Sequence, residues 1–147
     1  MMTALTLSYP AKIEKKTDDG DYYFVSFRDI ANCFTQGETW QEAYDNAQDV
    51  LGFMLQDYVE DETTFPLPSK MRQDEVMVEP LPEFCAPLLL YHARIQRRLS
   101  QAQVAKTLGI SRQRYFDIEH GKNLTMKTFS RSAQAIGFKP NIGFVSI

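Results

Sequence analysis

The stretch Leu99-Ser100-Gln101-Ala102-Gln103-Val104-Ala105-Lys106-Thr107-Leu108-Gly109-Ile110-Ser111 decides how the C-terminal half of this chain folds. Ser100 followed three residues later by Gln103 is a capping box, so a helix starts at Gln101. Val104, Ala105 and Leu108 recur at helical spacing and form its buried face. Ala105 is small where a second helix has to cross close by, since a larger side chain would push the two apart. Gly109 stands just past the helix end, where a left-handed backbone costs little without a Cβ. Ile110 plugs the core and Ser111 caps the next helix, which buries Tyr115 and Ile118.

The spacing of Gln101, Ala105, Gly109, Ile110, Tyr115, Ile118, Glu119 and Gly121 resembles the Cro/cI/Xre family of helix-turn-helix DNA-binding domains over about residues 86–138. Tyr115 departs from it, because the family more often has an aliphatic residue there. The resemblance implies that the second motif helix enters the major groove with its N-terminal residues toward the bases. Here those are Ser111, Arg112, Gln113, Phe116 and Asp117, with Arg114 nearer the backbone. Arg pairs bidentately with guanine and Gln with adenine, each worth about 1–3 kcal/mol of discrimination. Gln101, Lys122, Asn123 and Lys127 are phosphate candidates. Asp117 opposes tight binding, as it would face phosphates or a cytosine amino group. The competing reading of Arg112 and Arg114 is a solvated basic helix face.

Charge separates the two halves of the chain. Residues 1–83 hold six Lys and Arg against seventeen Asp and Glu, a net of −11, whereas residues 84–147 hold ten against two, a net of +8. A net charge of −3 over 147 residues hides this division. Asymmetry of this kind points to charged partners, and the basic half suits nucleic acid. Pro80, Pro82 and Pro87 crowd the change of sign, placing the domain boundary between residues 80 and 81. Helical periodicity then runs over 84–98, 101–108, 112–119 and 126–136, and Asn141–Ile147, with Ile142, Phe144 and Val145, reads as a terminal strand.

Upstream, Ala4–Ile13 alternates as a strand. Asp18-Asp19-Gly20-Asp21 is a tight turn, and Tyr22–Phe27 is a second strand, the pair forming a hairpin. A third short strand lies around Cys33–Thr35. Thr39 and Glu42 make a capping box for a helix whose Trp40, Ala43, Tyr44, Ala47, Val50, Leu51, Met54, Leu55 and Tyr58 predict one face packed on the sheet. Pro66 and Pro68 stop it, and Asp74–Glu79 supplies another strand. The expected fold class is α+β: a β-β-β-α-β domain over 1–80, then an all-α helix-turn-helix domain over 81–147 with a short C-terminal strand.

Several function classes have little material. No apolar run approaches the ~20 residues that span a bilayer, and no secretory signal is visible in Met1–Tyr9. Cys33 and Cys85 stand in no metal-ligand spacing and read as small buried or half-buried residues. A reduced, cytoplasmic protein is expected. His92 and His120 are the only histidines and have no catalytic partner pattern; His120 suits the C-terminus of its helix. No catalytic residue, metal site or cofactor is expected. A metal-dependent nuclease using Asp19, Asp21 and Asp29 is a weak alternative, because turn chemistry beside Gly20 already explains Asp18, Asp19 and Asp21.

Tyr9-Pro10-Ala11, Val25-Ser26-Phe27-Arg28-Asp29-Ile30, Cys33-Phe34-Thr35-Gln36-Gly37-Glu38-Thr39 with Glu42-Ala43, and Pro66-Leu67-Pro68-Ser69 together resemble the HicB antitoxin family over about residues 4–80. Where that family often has Pro-Gly before the Cys, this chain has Ala31-Asn32, and Asn tolerates the left-handed backbone Gly would supply. The resemblance implies a non-catalytic, partial ribonuclease-H-like N-terminal fold. Its implied partner is a small basic HicA toxin, an mRNA-cleaving ribonuclease with an active-site histidine that the antitoxin masks. It further implies operator DNA as the second partner, with repression of the toxin–antitoxin operon by a homodimer or higher homo-oligomer. Toxin-contact residues are not assigned. A stand-alone helix-turn-helix regulator with a ligand-sensing N-terminal domain is the alternative.

Overall fold

The computed structural model describes residues 4–147. The elements are β1 (Tyr9–Lys16), β2 (Tyr22–Ser26), β3 (Phe34–Gly37), α1 (Trp40–Glu60), β4 (Glu75–Val78), α2 (Pro82–Gln96), α3 (Gln101–Leu108), α4 (Arg112–Glu119) and α5 (Met126–Ile136). They divide into an N-terminal unit ending at Cys85 and a C-terminal unit, Ala86–Ile147.

The N-terminal unit is one antiparallel sheet, ordered β3-β2-β1-β4, with α1 packed on it. Gly20, at φ +96°, turns the β1–β2 hairpin, and Asn32, at φ +58°, takes the left-handed backbone expected of it. Register places Tyr9, Ala11, Val25 and Val78 on the same face of the sheet. That face meets Ala43, Ala47, Leu51 and Leu55 of α1, and all eight are essentially inaccessible. Gly37 is required where β3 passes beneath the first turn of α1, because a Cβ there would lie 2.4 Å from the Ala43 nitrogen.

Side chains of α1 also occupy carbonyls on the two outer strands. Asn46 Nδ2 donates to Gln36 O at 2.9 Å on β3, and Tyr44 Oη to Met77 O at 3.4 Å on β4. Such contacts blunt sheet edges that would otherwise invite pairing.

Local details shift several boundaries. β1 begins at Tyr9 rather than Ala4 and continues to Lys16, because its hairpin partner β2 pairs as far as Tyr22. β3 is Phe34–Gly37 rather than Cys33–Thr35, because its ladder with β2 continues to the Tyr23–Gly37 pair. Thr39 caps α1 through the Glu42 N–H at 3.1 Å, but the Glu42 carboxylate reaches Glu38 N at 2.9 Å, one residue before the cap. Trp40 is 41% exposed rather than on the sheet, stacked on Tyr44 at 5.4 Å. Gly52 and Val59 join the buried seam of α1 instead.

In the C-terminal unit, α3 packs against α4 and α5. Val104, Ala105, Tyr115, Ile118, Ala133 and Ile136 form its core with Leu88, Leu90 and Tyr91 of α2. Pro82 opens α2, where its missing N–H is unused. At the other end Arg98 takes a left-handed φ of +56°, and the Leu99 N–H closes back on Arg94 O at 3.1 Å. The expected C-terminal strand does not form: residues 141–147 are exposed and outside any ladder. Alternation alone cannot make a strand without a neighbouring backbone to pair with.

Candidate nucleic-acid interface

The turn between α3 and α4 has the geometry its residues dictate. Ser100 Oγ accepts from Gln103 N at 3.1 Å while Gln103 Oε1 accepts from Ser100 N at 2.8 Å, completing the capping box. Gly109 caps α3 at φ +72°, and Ser111 Oγ accepts from Arg114 N at 3.1 Å to begin α4. Three residues thus separate two helices, and the first turn of α4 is left solvent-facing.

Ser111, Arg112, Gln113 and Arg114 are all exposed on that turn. Arg114, Asp117, Ile118, Lys122, Asn123 and Thr128 line one shallow cleft. Three of the expected contacts therefore share this cleft: Arg114 from the first turn of α4, and Lys122 and Asn123 from the loop that follows the helix. Asn123, at φ +53°, supplies the left-handed residue that redirects the chain toward Thr125, whose Oγ1 caps α5 by accepting from Thr128 N at 3.1 Å. Lys127 is exposed on the first turn of α5.

Two expected residues are held differently. The Phe116 ring is half-buried and stacked on His120, with centroids 4.0 Å apart and planes at 24°. Gln101 is half-buried, and its Nε2 donates to Glu119 Oε1 at 3.3 Å, so its amide is tied to the end of α4.

Asp117 has a role that the sequence reading missed. Its Oδ1 accepts from Gln113 Nε2 at 3.2 Å and lies 3.8 Å from Lys122 Nζ. The carboxylate thereby holds a base-reading candidate and a phosphate candidate together, and Lys122 offsets its charge. The i, i+4 spacing of Gln113 and Asp117 was the available signal.

The scaffold behind this surface rests on Arg94 and Glu119. Arg94 Nε donates to Glu119 Oε2 at 2.6 Å and Nη2 to Oε1 at 3.0 Å, while Nη1 donates to Leu99 O at 3.0 Å. A bidentate, charge-assisted pair of this kind fixes geometry as well as energy. It ties the C-terminal ends of α2 and α4 to the entry of α3. Tyr115 is fully buried beside it; burial, then the nearby Glu119 carboxylate, pushes its pKa upward.

In the N-terminal unit the sequence blocks that looked scattered converge. Asp29 Oδ2 accepts from Ser69 N at 2.7 Å and Oδ1 from Ser69 Oγ at 2.5 Å, and Tyr9 Oη donates to Pro66 O at 2.7 Å. Arg28 Nε and Nη2 clasp Glu75 at 2.8 and 2.9 Å, and Nη2 also donates to Lys70 O. Bonded by Arg28, and against the cost of burial, the Glu75 carboxyl titrates at about 2. Asp29 is thus a loop brace. Asp21 lies 3.8 Å from Lys15, and among the described residues no three His, Cys, Asp or Glu side chains gather as metal ligands. Burial pushes Cys33 to about 11 and Cys85 to about 12, and both are free thiols. Among the described residues no helix is long and apolar enough to cross a membrane.

Comparison with known proteins assigns both units. Residues 8–85 match the family described as a HicB-like antitoxin of a bacterial toxin–antitoxin system, and residues 90–142 match a helix-turn-helix family. Antitoxin HicB 1 of Photorhabdus laumondii is 36% identical over 134 residues, which cover 89% of this chain and 83% of that protein. Antitoxin HicB of Escherichia coli K12 is 31% identical over 134 residues, covering 89% and 94% respectively. Antitoxin HicB 2 of Photorhabdus laumondii is 32% identical, covering 89% and 91%. Family match and near-full-length relatives agree, and this chain belongs to the HicB-like antitoxin family, with a helix-turn-helix domain following its antitoxin domain.

Proposed function

We propose that this chain is a cytoplasmic, non-enzymatic antitoxin that binds and masks a small basic HicA-type ribonuclease and represses its own operon through its helix-turn-helix. The observation that carries the reading is the pairing of two family matches with two opposite charges on one chain. An mRNA-cleaving toxin needs positive charge to hold RNA, and an acidic unit competes with RNA for that surface. The basic unit meets operator DNA. The sheet order β3-β2-β1-β4 with one packed helix is read as the partial ribonuclease-H-like frame, serving as a binding platform. The domains are assigned as 1–80 and 81–147.

Arg112, Gln113 and Ser111 are assigned to base edges, with Phe116 beside them. Arg114, Lys122, Asn123, Lys127 and Gln101 are assigned to the DNA backbone. Two half-sites about 34 Å apart call for a two-fold assembly, so the repressor is a homodimer or higher homo-oligomer. The exposed segment 141–147 is the assigned pairing device, its backbone free to form a ribbon with a second copy. Deleting residues 141–147 lowers the mass measured by light scattering; an unchanged mass refutes that assignment.

The test of the whole reading is a pair of assays on one variant. R112A/Q113A loses repression of a reporter driven by the upstream region of the operon, with about 1–3 kcal/mol lost per base contact. The same variant still rescues growth of cells expressing the toxin. Repression that persists refutes the reading helix, and failure of the unchanged chain to rescue growth refutes the antitoxin function.

A further inference from the structure

Among the described residues of the N-terminal unit, no helix or strand covers the face of the sheet opposite α1. Register puts Tyr22, Phe24 and Ser26 of β2, Phe34 and Gln36 of β3, and Lys12, Glu14 and Lys16 of β1 on that face. Phe34 is 58% exposed, and its ring lies against Phe24 with centroids 6.2 Å apart and planes at 31°. Tyr22 and Phe24 are half-buried. An aromatic ridge therefore runs along β2 and β3, already packed against itself and held by a rigid sheet.

The charges near the ridge are arranged so that the cations are spent. Lys12 Nζ lies 3.0 Å from Glu14 and 3.5 Å from Asp74, and Lys16 Nζ lies 3.7 Å from Glu14. Asp18, Asp19 and Asp21 project at the hairpin tip beside Tyr22, and Glu38 follows β3; all four are exposed. The ridge is apolar at its centre and acidic at its ends. Interfaces with most of their energy in a few central aromatics and a polar rim have this anatomy.

The outer face of α1 is the rival surface. Glu42, Asp45, Asp49, Asp57 and Glu60 leave that helix without a single Lys or Arg. Its exposed aromatic in that region, Phe53, is set against Phe84 at 5.4 Å. Charge of this kind speeds encounter with a basic partner but supplies little desolvated contact.

Resting on the antitoxin reading, we infer that the Tyr22–Phe24–Phe34 ridge is the surface on which the basic toxin docks. Rings of Phe24 and Phe34 receive aliphatic stems and cationic heads of its Lys or Arg side chains, and the acidic ends orient it. The acids of α1 contribute attraction at a distance rather than the contact.

The experiment compares three full-length proteins: the unchanged chain, F24S/F34S, and D45N/D49N/F53S. The probe is a HicA-type toxin inactivated at its active-site histidine, titrated calorimetrically at two salt concentrations. F24S/F34S weakens binding about 100-fold, while its melting temperature falls by only a few degrees and its operator affinity stays within error of the unchanged chain. D45N/D49N/F53S changes affinity less than tenfold and reduces the salt dependence. Unchanged affinity of F24S/F34S overturns the inference and leaves the antitoxin function standing, as does a larger loss in the α1 variant. No binding by the unchanged chain removes the antitoxin reading, and the docking surface with it.

Discussion

Replacing Arg94 by Met tests the physical account of the C-terminal unit most severely. Met keeps the length and apolar stem of Arg but leaves the Glu119 carboxylate, whose side chain is 0% exposed, without its bidentate partner. Removing one member of a buried ion pair costs about 3–5 kcal/mol, because the remaining charge is neither solvated nor paired. A unit of this size has only about 3–9 kcal/mol of total stability. Arg94→Met is therefore expected to leave the unit partly unfolded near room temperature. The sole tryptophan, Trp40, lies in the N-terminal unit, so its fluorescence follows that unit alone, whereas helical circular dichroism sums α1 with α2 to α5. In urea the dichroism gains an early phase at markedly lower concentration while the Trp40 transition stays. The double variant R94M/E119M recovers at least half of the loss, since both charges are gone. A single-variant cost under about 1 kcal/mol would show that the Arg94–Glu119 pair does not hold the unit together.

Three further outcomes follow from particular contacts. The Glu75 carboxyl, held at about 2 by Arg28, contributes stability that is fully present above its ordinary value of 4.5 and is lost as pH falls from there toward 2. Urea midpoints of the Trp40 transition should show this acid loss, and E75Q should lack it. Gly37→Ala places a Cβ against the backbone of Ala43, which cannot rotate away. It costs about 1–3 kcal/mol, read as a lower Trp40 midpoint with the C-terminal unit unaffected. Asp117→Ala frees Gln113 and Lys122 from their shared carboxylate. Fluorescence anisotropy should then show a changed base preference on operator variants; an identical preference would show that Asp117 orients neither side chain.

How much of this was legible in the sequence depends on the range of the forces involved. Caps and turns are local, so Ser100, Gly109, Ser111 and Asn32 announced their conformations outright. The boundaries of α3, α4 and α5 likewise followed from caps a few residues away, whereas α2 runs Pro82–Gln96 rather than 84–98. Sheet limits depend on the partner strand, which is why β1 was displaced and why Asn141–Ile147, lacking one, forms no strand. Trp40 obeyed the helical period yet fell outside the sheet's footprint, at the first turn of α1. Long-range polar contacts were invisible. Arg94 stands among Leu90, Tyr91 and Ala93, an odd charge on an apolar face, but only the fold shows that Glu119 meets it 25 residues on. Likewise Asp29 and Ser69 carried family-like sequence blocks, and their mutual hydrogen bonds explain why those two blocks occur together.

Under the proposed function this chain, as folded, neutralises an RNA-cleaving toxin. The most direct measurement is cleavage of a labelled mRNA by an active HicA-type toxin as the chain is titrated in. Inhibition that is complete at a fixed molar ratio, and that survives in R112A/Q113A, is the predicted result. Cleavage that continues unchanged at a large molar excess of the chain would contradict it.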